Sequence, residues 1–115
     1  MATGSIVADA KALAELLDAA GIPATHDPSR AMALGVCVLV PPPVIDYTTS
    51  SNVYRLACLS DKPIGSLAAL VDLDGLVQQL RDHEHVYPER AEPSAYALTA
   101  GEKPRPAYIV TITHP

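Results

Sequence analysis

A chain of 115 residues with a formal net charge of −5 fits one domain, residues 1–115, around a single hydrophobic core. It has no Trp and no Phe, so that core is expected to be built from Leu, Val, Ile and Ala with tyrosines at its margins. The bases Lys11, Arg30, Arg55, Lys62, Arg81, Arg90, Lys103 and Arg105 stand singly, which excludes a general nucleic-acid binder, since that function needs clustered Lys and Arg to displace phosphate counterions. Cys37 and Cys58 lie in apolar runs and are expected to be buried, reduced thiols. No stretch approaches the ~20 continuous apolar residues of a membrane span, and Met1 to Ser5 carries no basic leader. A protein made in a reducing cytoplasm, with no membrane partner, is expected.

Ile6, Ala10, Leu13, Leu16, Leu17 and Ala20 recur at helical spacing and predict a helix over Ser5 to Ala20, capped by Ser5 and stopped by Gly21. Ile22 to Asp27 reads as a short edge strand, and Asp27-Pro28 as a turn. The unbroken apolar run Gly35 to Val40 predicts a central strand covered on both faces, with Pro41-Pro42-Pro43 carrying the chain across an edge. Val44 to Tyr47 and Val53 to Ser60 form a predicted hairpin in which Tyr54, Leu56 and Cys58 alternate with Val53, Arg55, Ala57 and Leu59. A second helix is predicted over Ser66 to His83, with Leu67, Leu70, Val71, Leu73, Val77 and Leu80 along one side. Gly75 in its middle leaves room for a strand or a neighbouring chain. Ala95 to Leu98 and Ala107 to Thr113 complete the set as strands. Helix, four strands, helix, two strands describe an α+β two-layer sandwich, a mostly antiparallel sheet of four to six strands with two amphipathic helices on one face.

Motif-borne chemistry is missing: there is no GxxxxGK[ST], GxGxxG, GxSxG, HExxH or CxxC pattern. His83-Glu84-His85 reads as a solvated helix end, because adjacent positions there point in different directions. Cys37 and Cys58 lack the close ligand pair of a zinc site, and Asp72 and Asp74 do not face each other on a helix. His26-Asp27 has no support as part of a triad. No catalytic residue, cofactor site or metal site is assigned. What remains is surface. Tyr47, Tyr54, Tyr87, Tyr96 and Tyr108 are the only aromatics, most of them in or beside predicted strands, and Tyr is favoured where proteins meet. Tyr47, Tyr54, Arg55, Tyr96 and Tyr108 are the candidate interface residues, with Tyr54 and Tyr108 expected to matter more for assembly than for folding.

Four segments, in order, carry a family likeness: "LLDAAGIPATHDP", "GVCVLVPPPVIDY", "YRLACLSDKPIGSLAALVDLDGLVQQL", and "AEPSAYAL" followed by "PAYIVTITHP". Together they resemble the tail terminator proteins of siphophages, especially those infecting actinobacteria, over nearly the whole chain. The resemblance implies a homohexameric ring that caps the tail tube, halts its polymerisation and joins it to the head. Its partners would be copies of itself, the major tail tube protein and a head-completion or connector protein, with genome DNA passing through the lumen without specific binding. The family would place the protein in the virion tail or neck, after assembly in the host cytoplasm. Other neck components (a head-tail connector, a head-completion protein or a minor tail protein) share this texture, and a cellular α+β binding module is a further alternative.

Overall fold

A computed structural model describes residues 6–83, 86, 88–98 and 101–114. Its elements in chain order are α1 (Ile6–Ala19), β1 (Ala24–Thr25), α2 (Pro28–Leu34), β2 (Cys37–Leu39), β3 (Val44–Asp46), β4 (Ser51–Leu59), α3 (Leu67–Asp82), β5 (Pro88–Tyr96) and β6 (Arg105–His114). The strands form one six-stranded sheet in the order β1-β2-β4-β6-β5, with β3 also paired to β4. Every pairing is antiparallel except β1 with β2. The expected α+β sandwich is the fold observed.

Alternation along β4 divides the core. Tyr54, Leu56 and Cys58 join Val110 and Ile112 of β6 and Val38 of β2 under α1 and α3, which contribute Ala10, Leu13, Ala14, Leu17, Leu73, Leu76 and Leu80. The opposite sheet face carries a smaller cluster of Cys37, Leu39, Ala57, Leu59, Ala107 and Ile109, covered by Ala31 of α2. β2 is accordingly buried along its whole length, as its apolar run implies.

α2 takes the place of the expected turn at Asp27-Pro28. The Asp27 carboxylate accepts from the Ser29 N–H and Pro28 occupies the first turn, where its missing N–H costs nothing. Gly35 ends this helix at φ +76°, and a Cβ there would lie 2.6 Å from an Asp61 carboxylate oxygen. Only glycine fits.

Three further expectations are corrected. Pro41-Pro42-Pro43 does not cross an edge: β2 pairs with Ala57 to Leu59 and β3 with Ser51 to Val53, so both lie along the same side of β4 and the prolines interrupt one line of strand. β5 starts at Pro88, well before Ala95, because an edge strand tolerates residues that cannot donate to a ladder. No strand of the described chain comes close to Gly75, since a Cβ there would meet nothing within 4 Å. The Ser5 cap lies outside the described residues.

Candidate assembly surfaces

The candidate interface residues separate by burial. Tyr54 is 2% exposed and among the largest fully buried side chains, which corrects its assignment to an interface: it points with Leu56 and Cys58 into the space under α1 and α3. Asn52, also buried, hydrogen-bonds its hydroxyl, and burial, with the Asp9 carboxylate adding, raises that hydroxyl's pKa above its ordinary value. Tyr108 and Tyr96 are half-buried and pack on the larger and smaller core clusters respectively. Tyr47 is 87% exposed in the turn after β3, and Arg55 projects from β4 on the face opposite Tyr54. Tyr87, Glu84 and His85 lie outside the described residues.

The other singled-out side chains have local roles. Cys37 and Cys58 are both buried but on opposite sheet faces, and burial pushes their thiols up to about 11 and about 12. They are inert at neutral pH. The backbone N–H of His83 closes the last turn of α3 on the Leu80 carbonyl. His26 lines a shallow cleft with Lys11, Glu15, Asp18 and Arg30. Among the described residues no three His, Cys, Asp or Glu side chains are placed to hold a metal ion, and no helix is long and apolar enough to cross a membrane.

Asp72 is more than a solvated carboxylate. It accepts from the buried Ser60 hydroxyl at 3.0 Å and from the Lys62 ammonium at 3.0 Å, while Lys62 also reaches Asp61 at 2.8 Å. These contacts tie the β4–α3 loop to the first turns of α3 and hold both carboxyls below their ordinary range, the Lys62 hydrogen bond being the largest cause in each. An open groove of about 640 Å³ lies between this loop and the end of the β5–β6 hairpin, lined by Lys62, Pro63, Ile64, Lys103, Arg105 and Pro106 among others. Its charges are largely matched internally, Arg105 by Glu102 at 2.9 Å and Lys62 by the two aspartates.

Apart from Met32 and Leu34 on α2, the exposed large apolar residues collect near the two ends of β4. At its Leu59 end, Leu67, Leu70 and Val71 on the outer side of α3 are 76%, 55% and 62% exposed. The core stripe of this helix is instead Ala69, Leu73, Leu76 and Leu80, which corrects the expectation that Leu67, Leu70 and Val71 share the inner side. At the Ser51 end stand Val44, Ile45 and Tyr47, with Ile6 and Val7 close by, because Asp9 of α1 contacts Asn52. Eight residue steps of strand separate the two ends, about 26 Å. The α3 surface was readable in principle, since apolar residues lie on more than one face of that helix. Compared with protein-family models, with curated proteins and with solved structures, the chain matches none.

Proposed function

We propose that this chain is a structural subunit of a long-tailed phage, a tail terminator whose copies close into a hexameric ring on the end of the tail tube. One observation carries the reading. Apart from Met32 and Leu34 on α2, the exposed large apolar residues form two separate surfaces near opposite ends of the central strand, and a subunit with a different neighbour on each side needs two unlike patches. The α+β sandwich is also the fold that the sequence resemblance implies. A net charge of −5 suits a lumen through which DNA slides without adhering. In this role the ring stops the polymerising tube protein and presents a surface to the head-completion protein, and the chain acts by contact rather than catalysis.

Purified tube protein polymerising with and without this chain tests the proposal by electron microscopy. Tubes should stop lengthening and carry a ring at one end only. Tubes that grow at the same rate and remain bare at both ends would contradict it.

A further inference from the structure

α2 covers only one half of its sheet face. Beyond Ala57 and Ile109 that face continues into half-buried Val53 and Thr111 and exposed Val44, Arg55 and Thr113, over which no helix or strand of the described residues lies. This bare half is at least two strands wide, about 10 Å, which is the width of one helix. On the other side of the molecule, the outer face of α3 has the reverse need. Leu67, Leu70 and Val71 fall at i, i+3 and i+4, and Asp74 continues the same stripe. A helix without a sheet and a sheet without a helix occur on one chain.

Charge argues that they belong together. Arg55 stands beside the bare sheet half and Asp74 beside the helical stripe, both exposed and neither ion-paired with a described residue. Within one chain the sheet separates them: Arg55 alternates with Tyr54 and Leu56, which face α3. They can meet only between copies. We infer that the outer face of α3 docks on the uncovered half of the sheet of a second copy, head to tail, with Asp74 of one copy against Arg55 of the next. Contacts of this kind repeat around a ring or along a filament according to the rotation they impose. Closure into a ring rests on the function proposed above, whereas the contact itself does not.

Sedimentation equilibrium on the full chain tests it. Arg55→Glu and Asp74→Arg each place like charges across the contact and should weaken association about tenfold. The double variant restores an opposite pair and should recover most of the wild-type affinity. Circular dichroism should match wild type throughout, and thermal melting should match at concentrations low enough that every chain is monomeric, because both sites are exposed. A wild-type chain that stays monomeric at every accessible concentration overturns the inference, as does single-variant association equal to wild type or a double variant weaker than either single. The chain is measured alone, so failure here is distinguishable from failure to cap tubes.

Discussion

Tyr47 and Tyr54 belong to one hairpin, and the fold gives them opposite surroundings. Alternation in β4 was legible, since Tyr54, Leu56 and Cys58 share one face in the sequence as they do in the sheet. What the alternation could not say is that both faces of this strand are covered near Leu59 and only one near Ser51. That depends on which helix lies over which half. The sequence placed the tyrosines at the margins of the core or at interfaces, whereas Tyr54 is core, its hydroxyl finding Asn52. Truncating a large buried aromatic leaves a cavity as well as losing transfer energy, so Tyr54→Ala should cost about 3–5 kcal/mol in urea unfolding. That is a large share of the ~5–15 kcal/mol typical of a domain. Tyr47→Ala should stay within about 0.5 kcal/mol of wild type. Equal losses for the two would mean that Tyr54 is not packed as described.

At the scale of elements, the extents of the strongly periodic segments were read correctly, whereas the buried stripe of α3 and the turn chemistry were not. α1, β4, α3 and β6 follow their apolar patterns to within a few residues. α2 was missed because Asp27-Pro28 signals a turn and a helix start equally well, and its seven residues bury only Ala31. The β4–α3 connection was legible as a polar break at Asp61-Lys62-Pro63, but not as a staple, because Ser60, Lys62 and Asp72 meet only once the helix folds back on the sheet. This staple has a defined pH dependence. The Asp72 carboxyl lies below its ordinary 3.8, held down first by Lys62 and then by Ser60. Its stabilising contribution is therefore complete above the unfolded value and is lost as pH falls through the lower folded one. Asp72→Asn keeps an acceptor for Ser60 but removes the charge facing Lys62. Wild type should be the more stable at pH 7, and denaturation series should show the gap closing as pH drops from about 5 towards 2. A gap that is constant with pH would show that the charge contributes nothing.

For the whole molecule, the sheet order determines what the surfaces can do. β4 lies at the centre, with β3 along one end and the start of α3 at the other, so the two apolar surfaces are held apart by a rigid strand instead of merging into one patch. A single patch would favour a two-fold dimer in which the same residues meet themselves, whereas two separated and unlike patches favour head-to-tail growth. The two arrangements give opposite results when crippled chains are mixed. Leu70→Asp spoils the α3 face and leaves the sheet face intact; Val44→Asp does the reverse. Both residues are more than half exposed, so both variants should fold. In a head-to-tail contact each variant alone is monomeric, because every possible contact uses one spoiled face. Mixed, they should form a dimer of one copy of each, at twice 12.1 kDa, and grow no further, since only the spoiled faces remain free. Light scattering on the equimolar mixture reads this directly. A mixture as monomeric as its components, or a Leu70→Asp chain that still dimerises alone, would show that the copies do not join in this way.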